Sequence, residues 1–195
     1  MSGPPGDVTA RTDEELAART VGERLPLNAP IVLSPYDLEW PRLYEDQSAK
    51  VRGALGDRVL GLEHVGSTSV PGLMAKPIID MNLVVADSAR ESAYVSELET
   101  AGFVLRIREP DWYEHRMFRR LSPAVHLHVF SVGCPETRRV LAFRDHLRRC
   151  EADRRLYEET KCALAARVWK DMQHYADAKT TVIAEILSRA LAGEG

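Results

Sequence analysis

Two short apolar runs joined by a glycine-serine turn constrain the fold of this chain more than any other stretch. The runs span residues 59–65 and 78–85, and Gly66 and Ser67 follow the first of them. Turn residues that bound short β-branched runs predict two strands. Period-two alternation places Asp80 and Asn82 on one face of the second strand. Because burying an unpaired carboxylate is costly, we expect that face to line a polar cleft with Gly66 and Ser67 at its mouth.

The same stretch carries a resemblance to a known family. Residues 64–80 resemble the signature of the GrpB (UPF0157) family, which is close to His-x-Gly-Ser-Thr-Ser-Val-Pro-Gly-Leu-x-Ala-Lys-Pro-Ile-Ile-Asp, and the resemblance continues to about Ile186. The pattern is also similar to the nucleotidyltransferase superfamily, in which a strand ends in Gly-Ser and the next strand carries an Asp-apolar-acid triplet. The resemblance implies an α/β (α+β) fold: a nucleotidyltransferase-like mixed sheet flanked by helices, with the C-terminal helices packed over the cleft.

Size and composition favour one ordinary globular domain. The chain has 195 residues and a net charge of -3, which gives no general attraction to nucleic acid or to anionic membranes. No apolar segment reaches the ~18 to 20 residues of a membrane span, and residues 1–7 do not resemble a secretory signal. The three cysteines are too scattered for a disulfide framework. We therefore expect a cytoplasmic protein without nucleic-acid or membrane partners, and leave its oligomeric state open.

The order of predicted elements supports a mixed sheet with helices around it. Residues 1–30 are rich in Gly, Pro and charge and are interpreted as a flexible extension with a short helix at 13–19; residues 31–195 form the single domain. Trp40 is interpreted as a core residue. Further predicted helices span 41–55, 88–101, 135–149, 153–170 and 175–191, and further strands span 103–107, 116–121 and 125–132.

The glycine-serine turn is the first candidate for chemistry. Glycine lets backbone amides approach a phosphate closely, and the serine hydroxyl adds one donor. Taken alone, such a dipeptide is more often just a turn. The neighbouring Thr68 and Ser69 and the family resemblance favour a phosphate site, with Lys76 as a further contact.

A metal site is predicted around Asp80. Hard carboxylate oxygens suit Mg²⁺ or Mn²⁺ in phosphoryl transfer, and the next residue on that face, Asn82, is a weaker ligand than the acid usual in the superfamily. An aspartate satisfied by a neighbouring cation is the structural alternative. His126 and His128 share one face of a later strand, where they could bind a metal, act as a base, or serve a structural purpose.

Three cations interrupt the apolar stripes of the C-terminal helices. They are Arg144, Lys161 and Lys179. Each could extend its charge into water beside an apolar stem. Together, and with the family patterns Phe-Arg-Asp-x-Leu-Arg and Tyr-x-x-x-Lys, they favour a shared anion such as a triphosphate.

The resemblance implies a nucleotidyltransferase that moves a nucleoside monophosphate from a nucleoside triphosphate to a small-molecule acceptor in a Mg²⁺-dependent cleft. Asp80, His128 and His126 would be catalytic, and Asp80, Asn82 and His128 would bind the metal. One alternative is a non-catalytic module that binds a nucleotide or phosphometabolite, since family members also occur fused to dephospho-CoA kinase. A second is a His/Asp metal-dependent hydrolase, which the His-x-His strand favours.

Overall fold

Alternating apolar and polar residues build one five-stranded mixed sheet in the computed structural model, which describes residues 12–23, 29–169 and 172–192. The strands are β1 (Ala29–Pro30), β2 (Gly61–Val65), β3 (Ile79–Val85), β4 (Val104–Glu109), β5 (His115–Arg120), β6 (Val125–Ser131) and β7 (Val168–Trp169). The sheet runs in the order β2-β3-β6-β5-β4. Its central pair, β3 and β6, is parallel, and the other pairs are antiparallel. Strands β1 and β7 pair separately.

Helices flank this sheet, which confirms the predicted fold class of a mixed sheet with helices around it. The helices are α1 (Asp13–Arg19), α2 (Glu39–Leu55), α3 (Val95–Thr100), α4 (Pro135–Arg149), α5 (Glu151–Ala165), α6 (Met172–Asp177) and α7 (Thr180–Ala192). In the part of the chain that the structure describes, no helix has the length and apolarity needed to cross a membrane.

Three predicted helices have different boundaries, each for a local reason. The helix predicted at 88–101 begins later, because Ser88 is held by Ser131 Oγ while its carbonyl accepts from Tyr94. The helix predicted at 153–170 ends at Ala165, and strand β7 follows; Lys170 lies outside the described residues. The helix predicted at 175–191 is two helices, α6 and α7.

The two faces of the sheet have different neighbours. One face packs Met81, Leu83 and Leu127 against α2 and α3, in a core that includes Trp40 as predicted. The opposite face carries the polar side chains of β3 and β6. A second apolar cluster joins the segment after β2 to helices α4, α5 and α7; it contains Val70, Leu73, Phe143, Leu147, Tyr157, Val182, Ile183, Ile186 and Leu187. The C-terminal helices are thereby fixed beside the glycine-serine turn.

Part of the predicted N-terminal extension packs on the domain. Helix α1 begins with a capping box formed by Thr12 and Glu15, and its Leu16 is buried. Val21 N donates to Arg106 O at 2.8 Å, and Arg19 forms an ion pair with Glu109 at 2.6 Å. Residues 12–23 therefore contact β4 rather than form a free tail, whereas residues 1–11 and 24–28 lie outside the described residues.

Candidate functional site

The turn after β2 lies directly against Asp80. Val65 and Asp80 are paired across β2 and β3, so the chain leaves β2 next to this carboxylate. Gly66 has a φ of 69°, and a Cβ built on it would lie 2.8 Å from Asp80 Cβ. Only glycine permits both this backbone conformation and this approach. The predicted contact between the glycine-serine turn and the aspartate strand is present.

Two of the predicted phosphate contacts instead hold the turn together. Thr68 Oγ1 donates to Ile78 O at 3.1 Å and bonds His64 Nε2 at 3.0 Å. Ser69 Oγ donates to Gly66 O at 2.6 Å. Both side chains are buried. The hydroxyls of Thr68 and Ser69 are already committed to the protein, and the Ser67 side chain hydrogen-bonds Tyr157.

Three lysines gather beside this turn. They are Lys76, Lys161 and Lys179, and the charge of Lys179 acts on both of the others. Lys161 is 2% exposed and donates to Met74 O. Lys76 and Lys179 each lie over the ring of Tyr175, with Nζ 5.2 and 4.6 Å from its centroid.

Burial lowers the pKa values of these three lysines. It lowers the pKa of Lys161 to about 7, with neighbouring Lys179 adding to the effect, and the pKa of Lys76 to about 8 for the same reasons. Burial also lowers the pKa of Lys179 to about 8, and Asp80 opposes this shift. The cluster therefore concentrates positive charge in a place where that charge is poorly solvated.

Arg144 does not belong to this cluster, which corrects the prediction that all three helical cations share one anion. Its guanidinium contacts Glu63 at 2.9 Å, Asp145 at 2.7 Å and His64 O at 3.0 Å, at the β2 edge of the sheet. Both carboxylates help to raise its pKa, against the effect of burial. Arg144 is a structural ion-pair residue, and Lys76 joins the two helical lysines instead.

The polar face of β3 and β6 brings the predicted metal residues side by side. The register pairs Asp80 with His126 and Asn82 with His128. Burial acts to raise the pKa of Asp80, but its hydrogen bond to His126 and the charge of that ring outweigh burial and hold the pKa well below its usual range. His126 Nδ1 lies 3.4 Å from Asp80 Oδ1. The buried Asn82 donates from Nδ2 to Thr137 Oγ1 at 3.3 Å.

A chain of hydrogen bonds reaches His128 from the far strands. Glu109 Oε2 lies 2.6 Å from His115 Nδ1, and His115 Nε2 lies 3.0 Å from His128 Nδ1. Phe130 and Trp112 pack on the His115 ring. Burial lowers the pKa of His115 despite Glu109, and it lowers the pKa of His128 well below its usual value. Both shifts favour the neutral form of the two rings.

A pocket opens where these groups meet. The empty space there, open solvent included, is about 310 Å³, and its lining residues are Val65, Gly66, Asp80, Asn82, Trp112, His128, Phe130, Glu136 and Val140. Trp112 Nε1 is buried and has no hydrogen-bond partner among the described residues. Glu136, also buried, is neutralised by Arg139 through bonds of 2.6 and 2.7 Å. The pocket is thus mainly apolar, with a few polar groups that converge on Asp80.

Several of these residues escaped the sequence reasoning. Glu136 stands in the first turn of α4, immediately after the His-x-His strand, and that position was a usable signal. Trp112 precedes Tyr113 and Glu114, which have φ of 54° and 51°. Paired left-handed residues without glycine are strained and often mark functional turns, but they are invisible in a sequence. Glu109 and His115 meet only through strand register.

Comparison with known proteins identifies the family. The sequence profile described as "GrpB protein" matches residues 30–189. This chain belongs to the GrpB family. A UPF0157 protein of Halalkalibacterium halodurans is 54% identical over 182 residues, covering 93% of each chain. The crystal structure of conserved protein GrpB from Enterococcus faecalis superposes with a TM-score of 0.74 at 29% identity, covering 84% of this chain and 99% of that one.

One protein with a sequence similar to this chain carries a different name. A dephospho-CoA kinase of Mycobacterium bovis is 26% identical over an alignment that covers 97% of this chain and 54% of that protein. The GrpB-like sequence thus matches about half of a larger protein.

Proposed function

We propose that this chain binds a nucleoside triphosphate in the cleft between Gly66, Asp80 and the lysine cluster, and transfers its nucleoside monophosphate to a small-molecule acceptor. The observation that carries the proposal is the placement of Lys76, Lys161 and Lys179 beside the Gly66–Asp80 contact. Phosphoryl-group chemistry depends mainly on positioning and on neutralising negative charge, and this cleft provides both.

Burial of the lysines favours an anionic ligand. A buried ammonium is costly unless an anion compensates it. Lys161 donates to a backbone carbonyl, which does not neutralise its charge, and the nearby Glu158 opposes the lowering of its pKa without cancelling it. Lys76 and Lys179 lie over the ring of Tyr175, whose hydroxyl is buried and has no hydrogen-bond partner in the described part of the chain. A phosphate chain would add negative charge beside Lys161 and Lys179 and accept a hydrogen bond from this hydroxyl.

Two hydroxyl side chains, Ser67 and Tyr157, stand next to the lysine cluster, since Lys161 Nζ lies 5.0 Å from the centroid of the Tyr157 ring. Burial raises the pKa of the Tyr157 hydroxyl to about 12, although the Ser67 side chain opposes the shift. Because Ser67 and Tyr157 are bonded to each other, the pair has one hydroxyl proton left to donate to a phosphate oxygen near Asp80. The Gly66 backbone, free of a side chain, lets an α-phosphate approach.

The residues fit a magnesium ion that arrives with the nucleotide. Asp80 is ionised and 28% exposed, and Asn82 has its Oδ1 left after donating to Thr137. Mg²⁺ commonly takes one or two protein ligands and completes its shell with water and substrate phosphates. Bound there, Mg²⁺ would neutralise charge on the phosphates. His126 contacts Asp80, which leaves His128 as the better placed base.

A non-catalytic nucleotide-binding module is the second candidate. Asn82 stands where nucleotidyltransferases usually have a second acid, and this favours binding without transfer. The similarity to a dephospho-CoA kinase would place such a module near coenzyme A metabolism. The hydrolase alternative has less support. Among the described residues, three possible ligand atoms lie within 4.8 Å of one another only at His146, Cys150 and Asp153, away from the His-x-His strand.

The test is calorimetric and thermal titration with ATP, CTP, GTP and UTP, each with and without Mg²⁺. Nucleotide and Mg²⁺ together should stabilise the protein by more than the sum of their separate effects. A ligand at a hundred times its dissociation constant adds about 2.7 kcal/mol, which a thermal shift detects easily. Asp80→Asn should abolish the coupling, and Asn82→Asp should strengthen Mg²⁺ binding.

Asp57→Asn is the matched control, since it makes the same change at an exposed position in the turn that follows α2. Unchanged coupling in Asp80→Asn would refute the proposed cleft. Release of pyrophosphate on addition of hydroxyl or amine acceptors distinguishes the transferase from the binding module. The binding module would bind the nucleotide without releasing pyrophosphate.

A further inference from the structure

The Glu109–His115–His128 chain ends at the pocket beside Asp80. Glu109 is 8% exposed and His115 is 2% exposed, so neither can contact a ligand in the cleft directly. His128 lines the pocket. Its Nδ1 is bonded to His115, and its Nε2 has no hydrogen-bond partner among the described residues.

The donor and acceptor roles along this chain follow from its first member. Arg19 Nη1 lies 2.6 Å from Glu109 Oε1 and favours the ionised carboxylate, which can only accept hydrogen bonds. His115 Nδ1 must therefore carry a proton and donate it to Glu109. In a neutral ring the other nitrogen, His115 Nε2, is then an acceptor. It accepts from His128 Nδ1, which leaves His128 Nε2 with a free lone pair.

We propose that Glu109 and His115 are positioning residues that fix the tautomer of His128, so that its Nε2 faces the pocket as a base for the acceptor substrate. The inference rests on the proposed function. In the transfer step, Nε2 takes the proton of an acceptor hydroxyl or amine. The acceptor atom forms a bond to the α-phosphorus. The bond from that phosphorus to the bridging oxygen breaks, and pyrophosphate leaves with the electron pair.

The surroundings hold both rings in this arrangement. His115 and His128 are stacked, with centroids 5.2 Å apart, and Phe130 stacks on His115 at 4.7 Å. Trp112 packs edge-on against His115 at 5.1 Å. The strained turn at Tyr113 and Glu114 places Trp112 there. Strain retained at a turn that orients a polar chain is consistent with a functional role for the chain.

Glu109→Gln provides a sharp test because Arg19 dictates how the new amide must lie. Arg19 is only a donor, so the amide oxygen of the glutamine must face it. The amide NH₂ group then faces His115 Nδ1 and donates to it. Both histidines should switch to the opposite tautomer, with a proton on His128 Nε2. The shape of the side chain is unchanged.

The primary readout is the nitrogen NMR spectrum of the full-length protein labelled at histidine, which distinguishes protonated from unprotonated ring nitrogens. Wild type should show His128 protonated at Nδ1 and not at Nε2, and Glu109→Gln should show the reverse. Adding Arg19→Met to Glu109→Gln removes the donor that fixes the amide, so the wild-type tautomer should reappear beside the opposite one. Glu114→Gln, a change in the same turn that does not touch His115, should leave both rings as in wild type.

The second readout is transfer itself, measured as pyrophosphate release from Mg·ATP with an acceptor. An amide in place of the orienting carboxylate of a catalytic triad lowers kcat by about 10⁴-fold. A large loss in kcat is expected here with unchanged affinity for Mg·ATP. The inference would be overturned if His128 were protonated at Nε2 in wild type, or if Glu109→Gln left the tautomers of both rings unchanged. Failure of wild type to bind Mg·ATP would instead refute the proposed function, while the spectra would still decide the tautomer.

Discussion

Replacing Lys161 by methionine should stabilise the unliganded protein at neutral pH while weakening nucleotide binding. Lys161 is 2% exposed, and burial together with Lys179 lowers its pKa from 10.5 to about 7. A cation in such a place reduces the stability of the free protein. Methionine is unbranched and of similar length, so it fills the same space without the charge.

The magnitude follows from the pKa difference between the folded and unfolded chains. With a folded pKa of about 7 and an unfolded value near 10.5, the lysine costs about 4 kcal/mol at pH 7. The substitution also removes the hydrogen bond to Met74 O, and this loss offsets roughly 1 to 3 kcal/mol of the gain in stability. The net gain is roughly 1 to 3 kcal/mol. For a chain of 195 residues this raises Tm by roughly 3 to 10 °C.

The pH dependence supplies the decisive comparison. The cost of Lys161 is complete below the folded pKa of about 7 and disappears as pH rises towards the unfolded value of 10.5, because the folded lysine is then already neutral. Urea unfolding of wild type and Lys161→Met should therefore differ most near pH 6 and converge near pH 10.

Lys50→Met, on the exposed side of α2, is the matched control and should change stability little at any pH. A Lys161→Met variant that is less stable than wild type near pH 6, or whose difference from wild type is the same at every pH, would refute the reasoning. Lys161 would then be a structural residue. Titration with Mg·ATP checks the binding half of the prediction, since affinity should fall only in Lys161→Met.

Two further predictions concern the turn itself. Gly66→Ala should destabilise the protein by roughly 1 to 3 kcal/mol or more in urea unfolding, because φ is 69° and the new Cβ would meet Asp80. The control is Gly53→Ala in α2, where nothing lies within 4 Å of the new Cβ, and it should be neutral or stabilising in the same experiment. Burial lowers the pKa of His64 to about 4, so wild type should lose stability as pH falls from about 6.5 towards 4. His64→Gln keeps a hydrogen-bond partner for Thr68 but does not titrate, so its Tm should fall less steeply over the same pH range. Equal slopes in the two proteins would exclude His64 as the cause.

The parts of the site that depend on local alternation could be predicted from the sequence. The period-two pattern placed Asp80 with Asn82 and His126 with His128, and the register brings these two pairs together. Gly66 was identifiable because it ends an apolar run and was interpreted as a phosphate contact, whereas its close approach to Asp80 appears only in the structure. These conclusions involve contacts within a strand or between strands of evident pattern.

Contacts set by packing geometry could not be predicted. Helical periodicity shows that Arg144 lies near an apolar stripe, but it does not show that this part of α4 meets Glu63 at the edge of the sheet. The pairing of Glu109 with His115 depends on a register shift between Leu105 and Ile107 in β4. One irregular residue changes which side chains face each other. A chain of hydrogen bonds through such a strand is fixed only in three dimensions.

Arginine and lysine have different roles around the cleft, and this difference explains the positive charge beside Asp80. Arginine neutralises the carboxylates around the polar face: Glu109 by Arg19, Glu136 by Arg139 and Glu63 by Arg144. A guanidinium stays charged when buried and matches a carboxylate geometrically, so these pairs are permanent. Lysine is the residue whose charge responds to its surroundings, and lysines are what remain beside Asp80. An arriving phosphate chain would restore their full protonation, so the same groups that weaken the free protein would strengthen its complex.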